Sequence, residues 1–270
     1  SFHGQTVYHC PLRKVSIQLG DGQKLANLLK KPVITNFRNN DLKNGGEGAP
    51  LSPIYHQNII ESLKLQLPSC ILNIGGIANL TYWDGKNLIG FDTGPGNSLM
   101  DDFVKLRIDK FYDYKGILAS QGSIDKIFVK KFMESDFFNV IGPKSLDRNS
   151  FKDKFEELCK KNLSIIDTLA TLAECTIKSI LLSLKNLPQR PHNIIIVGGG
   201  YKNDYLLQSL VNRSNINIIK ENNISLKFDF IESELIAFLG ARSIYKLPIT
   251  FPSTTGVSKI LSGGKIFAHK

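Results

Sequence analysis

The 270-residue sequence predicts an α/β protein whose sheets are covered by helices, and three observations carry that prediction. Short β-rich runs meet at glycine turns between residues 71 and 97. The run Asn193–Val197, continuously apolar from Ile194 on, leads straight into Gly198, Gly199 and Gly200, as a buried strand entering a turn does. An apolar stripe at i+4 spacing (Leu169, Ala173, Ile177, Leu181, with Leu172, Ile180 and Leu184 beside it) reads as a long packed helix.

The elements follow in order. Residues 71–74 (Ile-Leu-Asn-Ile) form a strand that ends at the Gly75-Gly76 turn. Residues 79–83 form the next strand, and Asp84-Gly85 is a two-residue hairpin signal leading to a third strand through Leu88, Ile89 and Phe91, which ends at Asp92. Asn97 and Ser98 are placed to cap a helix beginning near Leu99. Ser164 and Asp167 have the spacing of a capping box, the acid reaching back to the cap. Asn203 caps a helix through Leu206, Leu207 and Leu210, and a last helix covers residues 232–245 and stops before Pro248.

Composition narrows the function classes. With 42% hydrophobic and 21% charged residues the chain is an ordinary globular mixture. No apolar run approaches the ~20 residues needed to span a bilayer. The N-terminus has no basic region followed by an apolar stretch, so it does not read as a signal peptide, and it lacks an initiator Met, so the chain reads as part of something longer. Cys10, Cys70, Cys159 and Cys175 form no CxxC pair, which favours free thiols and the cytoplasm. The net charge of +10 invites a nucleic-acid reading, but the lysines are scattered and no nucleic-acid-binding signature is present. A basic enzyme acting on anionic ligands accounts for the charge equally well.

Three glycine-rich elements are candidates for chemistry. In Asn73-Ile-Gly75-Gly76-Ile-Ala-Asn79 the paired glycines let backbone approach a phosphate; a plain tight turn is the bland reading and stays open. In Asp92-Thr93-Gly94-Pro95-Gly96-Asn97 a carboxylate at a strand end precedes a helix N-terminus, suiting a general base beside bound anions or merely a turn aspartate. The third is the turn at Gly198, Gly199 and Gly200. There is no GxxxxGK[ST], no complete Rossmann fingerprint, and no metal-cluster spacing among the five histidines.

These residues resemble a known family. Ser-Phe-His-Gly-Gln-Thr-Val-Tyr-His at residues 1–9 is similar to its SHGQTVxH stretch with one extra residue, and residues 45–51 (GGEGAPL) resemble its GGQGAPL loop. NIGGIANL at 73–80 and FDTGPGN at 91–97, followed by Leu99-Met100-Asp101, are its most specific motifs. Pro143-Lys144-Ser145 with Arg148, Glu232 ten residues before Arg242, and residues 247–256 complete the pattern. The family is anhydro-N-acetylmuramic acid kinase, in the actin–hexokinase ATPase superfamily.

The resemblance implies an actin-like, hexokinase-like two-lobed fold built from RNase H-like domains. On that expectation residues 1–68 are the remnant of an incomplete first lobe, 69–250 the second lobe, and 251–270 a C-terminal segment. It further implies ATP with Mg2+ as cofactors, no protein-borne metal site, and an amino-sugar substrate. No nucleic acid and no membrane take part, and a homodimer is compatible with it. The implied reaction transfers the γ-phosphoryl group to O6 of 1,6-anhydro-N-acetylmuramic acid while water opens the anhydro bridge, in peptidoglycan recycling. Asp92 matches the base that activates the water; Glu232, His3, Gln5 and Asn97 match substrate positions. Asn73, Gly75, Gly76 and Asn79 match the phosphate hairpin, and Gly198, Gly199 and Gly200 the adenosine side. Glu47 stands where the family usually has Gln, and Asn36 where Asp is usual. A catalytically inert remnant serving as an interaction module is the competing expectation, because the family's first phosphate loop lies outside this sequence.

Overall fold

The computed structural model describes residues 1–147, 149–219, 221, 224 and 226–270. Arg148, matched above to a family motif, lies outside the described residues. The α/β class holds. Strands β1 (Thr6–Cys10) and β2 (Val15–Gln18) make an antiparallel hairpin, followed by α1 (Gly22–Leu29), β3 (Val33–Thr35), α2 (Asn39–Lys43) and α3 (Pro53–Ser62). The central sheet then begins with β4 (Ser69–Ile74), β5 (Ile77–Trp83) and β6 (Leu88–Pro95). Helices α4 (Ser98–Ile108), α5 (Lys126–Met133), α6 (Lys152–Cys159) and α7 (Ile165–Lys185) precede β7 (Asn193–Val197), α8 (Asp204–Ser214) and β8 (Asn217–Ile219). Finally come α9 (Ile231–Ile244), α10 (Pro252–Thr255) and β9 (Lys265–Phe267).

The five-stranded sheet has the order β6-β5-β4-β7-β8. β5 is antiparallel to both β4 and β6, whereas β7 and β8 run parallel to β4. Period-2 alternation sorts the strands onto two faces. Cys70, Leu72, Ile74, Ala78, Leu80, Tyr82, Phe91, Ile194 and Ile196 point into the larger core under α4, α5, α7 and α8. Ile71, Ile195 and Val197 point the other way, against Tyr55, Ile59 and Ile60 of α3 and Ile231 of α9. Because both faces are covered, β7 can be apolar from Ile194 to Val197, as its sequence has it.

Several local expectations need correction. Strand β6 runs on to Pro95, so Asp92 lies inside the strand and not at its end. Ala78 pairs with Gly94 but Asn79 pairs with Asp92, so Thr93 is an extra residue: a bulge, which bends the strand and re-aims neighbouring side chains. The β5–β6 connection takes residues 84–87, because the Asp84 carboxylate accepts from both Lys86 N–H and Asn87 N–H. Ser164 caps α7 by accepting from Asp167 N–H, but the Asp167 carboxylate does not return to the cap backbone; it takes the Ser164 hydroxyl and the Ser123 N–H instead. Asn97 sits at the α4 N-cap without capping, since its amide donates to Ile74 O at 3.2 Å. Asn203 does cap α8, accepting from Leu206 N–H at 3.1 Å.

The C-terminal segment does not stand apart. β9 pairs antiparallel with β3, Val33 opposite Phe267. A third apolar cluster joins Ile34, Phe37, Leu51 and Ile54 to Leu239 of α9 and to Ile249. One apolar cluster therefore joins residues 34–54 to residues 239–249.

Candidate active site

Strand register sets the site. Asn73 pairs with Asn79, Asn79 with Asp92, and Asn73 with Val197 on its other side. Cross-strand partners point to the same face, so Asp92, Asn79 and Asn73 stand abreast, with Gly198 just beyond Val197. This row floors a cleft of about 810 Å³. The opposite wall brings Ser1, His3, Arg38, Pro50 and Ser52; α9 contributes Ile231, Glu232 and Leu235.

Of the residues singled out by sequence, His3, Asn73, Asn79, Asp92, Gly198, Gly199 and Glu232 line this cleft together. The others do not. Gln5 is exposed on the edge preceding β1, where its carbonyl accepts from Leu19 N–H. Gly200 is packed against Ile74, whose side chain would collide with any Cβ there. Gly75 and Gly76 form the β4–β5 turn, and their carbonyls accept from Asn97 N–H (2.7 Å) and from Gly96 and Ser98 N–H (2.9 and 3.2 Å). Asn97 thus stitches the hairpin to the start of α4, and the Asn97 and Ser98 amides are already used. Neither Gly75 nor Gly76 has a left-handed φ, and the nearest atoms to a Cβ on either are at ordinary contact distance, so open space rather than turn geometry is what glycine supplies. Gly198 differs: its φ is +79° and a Cβ would run into Asn73 Oδ1.

The electrostatics centre on Asp92, which is only 6% exposed. Burial raises its carboxyl to about 7; the Leu146 N–H donated to Oδ2 at 2.8 Å and the Arg38 charge oppose that rise, and Glu47 adds to it. Arg38, on the turn just before α2, organises the opposite wall. Its Nη1 donates to Gly48 O at 2.6 Å and its Nε to His3 Nε2 at 3.2 Å. Desolvation holds Arg38 down to about 10, against the pull of Asp92 and Asp41, so it remains a cation at neutral pH. His3 Nδ1 faces Gly4 O at 2.7 Å and therefore carries the proton, leaving Nε2 to accept from Arg38. Burial and Arg38 both lower His3, which keeps it neutral.

Two more groups escaped the motif reading. His56 of α3 lines the cleft, with Nδ1 2.7 Å from Thr81 Oγ1, and burial lowers it to about 3, so it is a neutral polar group. Asp41 is buried and caged: Oδ1 accepts from Gly48 N–H and Oδ2 from Thr255 Oγ1, each at 2.6 Å. Neither lies in a glycine-rich motif, which is why composition and spacing passed over them. Asn36, where Asp is usual, adopts φ +63°, a conformation that Asn tolerates better than most residues.

A buried carboxylate poised near neutrality in a roomy polar cleft is suited to accept a proton from a bound nucleophile. Comparison with known proteins gives this chemistry a family. The family model for anhydro-N-acetylmuramic acid kinase matches residues 1–269. The chain belongs to the anhydro-N-acetylmuramic acid kinase family. It is 40% identical over 267 residues to the anhydro-N-acetylmuramic acid kinase of Rhodopseudomonas palustris (strain BisB18), covering 98% of this chain and 72% of that protein. The Pelagibacter ubique (strain HTCC1062) anhydro-N-acetylmuramic acid kinase is 41% identical over 272 residues, covering 97% and 72%. Among solved structures, an activator of 2-hydroxyisocaproyl-CoA dehydratase from Clostridium difficile with bound ADPNP overlaps 67% of this chain and 64% of its own at 19% identity; its TM-score of 0.39 is too low to carry an argument. As a member of the anhydro-N-acetylmuramic acid kinase family the protein is an ATP-using kinase.

Proposed function

We propose that this protein phosphorylates O6 of 1,6-anhydro-N-acetylmuramic acid from ATP and opens the anhydro bridge with water, giving N-acetylmuramic acid 6-phosphate and ADP. The observation that carries the reading is Asp92: buried, raised to about 7, and facing the cleft in one row with Asn79 and Asn73. In its ionised form Asp92 takes a proton from the water that attacks the anomeric carbon, and the electron pair of the broken C1–O6 bond remains on O6, which accepts the phosphoryl group. Asn73 and Asn79 then border the nucleotide phosphates, with Gly75 and Gly76 in the turn behind them, and Gly198 and Gly199 border the adenosine side. His3 and Glu232 border the sugar; Gln5 and Asn97, outside the cleft, support it only indirectly. Burial of the acid serves the chemistry, since a base near the working pH combines availability with driving force. Family membership supports this reading over an inert remnant.

Among the described residues no group of three or more His, Cys, Asp or Glu side chains could hold a metal by itself. Mg2+ bound through a nucleotide needs only one or two protein oxygens. The residues fit that mode: Asn79 Oδ1 is buried without a hydrogen-bond partner and would take one place on the ion. When bound, Mg2+ neutralises charge on the transferring phosphoryl group.

No helix among the described residues is long and apolar enough to cross a membrane, and the four cysteines are free; we place the protein in the cytoplasm, with its ATP. The division into a first-lobe part (1–68), a second lobe (69–250) and a C-terminal segment (251–270) belongs to the same proposal. The deciding experiment is ADP release and product mass with MgATP and the 1,6-anhydro sugar. A product heavier by water plus phosphate supports the reading, whereas turnover with open-ring N-acetylmuramic acid alone would overturn it.

A further inference from the structure

The cleft carries an imbalance of charge. Asp92, Asp229 and Glu232 line it with three carboxylates, whereas Arg38 is the one lysine or arginine that lines it among the described residues. Two lysines of neighbouring segments are used elsewhere: Lys144 Nζ donates to Phe137 O and Val140 O, and Lys202 pairs with Asp229. Among the described residues the Arg38 guanidinium makes two hydrogen bonds, Nε to His3 Nε2 at 3.2 Å and Nη1 to Gly48 O at 2.6 Å, and no ion pair. Asp41 and Asp92 act on it only through space. The Asp41 oxygens accept from Gly48 N–H and Thr255 Oγ1, and Asp92 Oδ2 accepts from Leu146 N–H. A guanidinium has five N–H donors, so Nη2 and one N–H of Nη1 have no protein partner.

A desolvated cation without a counter-charge is costly, and an anion entering the cleft would offset that cost. Two anions take part in the proposed reaction, the carboxylate of the sugar's lactyl ether and the phosphates of the nucleotide. Position favours the carboxylate. Arg38 is bonded into the loop wall beside His3, whereas Asn73 and Asn79, which border the phosphates, stand on the sheet. With Nε and Nη1 both tied to the protein, the plane of the fork is fixed before a ligand arrives, and a planar carboxylate matches it.

We propose that Arg38 is a specificity-determining residue: its guanidinium takes the lactyl carboxylate, and so selects the 1,6-anhydro muramic sugar over an anhydro sugar that lacks the acid. This rests on the amino-sugar reading of the cleft.

The test is binding followed by calorimetry at neutral pH, without turnover. The probes are 1,6-anhydro-N-acetylmuramic acid and its lactyl carboxamide, a neutral analogue of the same size. The unmodified protein should prefer the acid about ten- to a hundred-fold, the range of a charge-assisted hydrogen-bonded pair. In Arg38→Gln that preference should shrink to within about three-fold while carboxamide affinity holds, which also shows that the cleft is still formed. Arg38→Lys keeps the charge but not the fork, and should leave an intermediate preference.

Equal binding of acid and carboxamide by the unmodified protein overturns the inference without any variant. A preference that survives Arg38→Gln overturns it too. So does a loss of ADPNP affinity relative to ADP in Arg38→Gln with the sugar preference intact, because the guanidinium would then serve the γ-phosphate. An unmodified protein that binds neither sugar overturns the proposed function and this inference together, an outcome distinct from a cleft that binds both sugars alike.

Discussion

On one side of the cleft Asp92, Asn79 and Asn73 stand abreast on three hydrogen-bonded strands, whereas on the other His3, Arg38 and Gly48 hang from loops whose order comes from side-chain bonds. The sheet side takes its geometry from a backbone ladder, so each functional side chain inherits its position from register. The loop side depends on a few buried polar contacts: Asp41 to Gly48 and Thr255, and Arg38 to Gly48 and His3. A ladder shares its loss over many bonds. A cage around one carboxylate does not, because each donor it leaves unpaired carries its own desolvation penalty. The chemistry is thus mounted on the rigid side and its electrostatic environment on the side more easily disturbed.

The largest expected effect is at the reacting group. Asp92→Asn should lower kcat about 10²- to 10⁴-fold in the ADP-release assay while nucleotide KM changes little, and the same variant should melt higher than the parent above pH 7. Next comes Gly198→Ala on the sheet side. A Cβ at φ +79° would meet Asn73 Oδ1 and the Ile74 carbonyl, and urea unfolding should show a loss of about 2–3 kcal/mol. Asp41→Ala tests the other side directly. It should cost about 1–3 kcal/mol and speed amide exchange at Gly46 and Gly48, with protection in β4, β5 and β6 unchanged. Protection lost equally on both sides would erase the contrast drawn here. Smallest is Glu232→Gln: the residue is exposed on the first turn of α9, so sugar KM should rise a few-fold without a change in Tm.

The same contrast explains what sequence made legible. Asn73, Asn79 and Asp92 sit in motifs whose glycines and strand pattern announce a turn and a ladder, and pairing then places them together. The bulge at Thr93, which carries Asp92 inside a strand, has no signal in the residue types around it. Asn97 looked like a helix cap, because nothing local reveals that the Ile74 carbonyl would compete for its amide. Asp41 and Thr255, 214 residues apart, meet only in the folded chain, and no periodicity announces such a contact. Nothing in the local sequence marks Arg38 as a neighbour of Asp92, which it becomes only in the folded chain. Gln5 shows the converse: motif membership alone placed it in a site that its backbone then turns away from.

The antiparallel pairing of β3 with β9 reaches further than the sheet it forms. Val33 finds its partner in Phe267, and Gln23 and Asn27 of α1 bond to Ala268 and Lys270. During synthesis the central sheet, whose strands all precede residue 220, emerges well before residues 265–267 do. A nascent chain held on the ribosome just short of that point would have the ladder carrying Asp92 built, but β3, and the stretch that carries Arg38 and Glu47 behind it, still without a strand to close on.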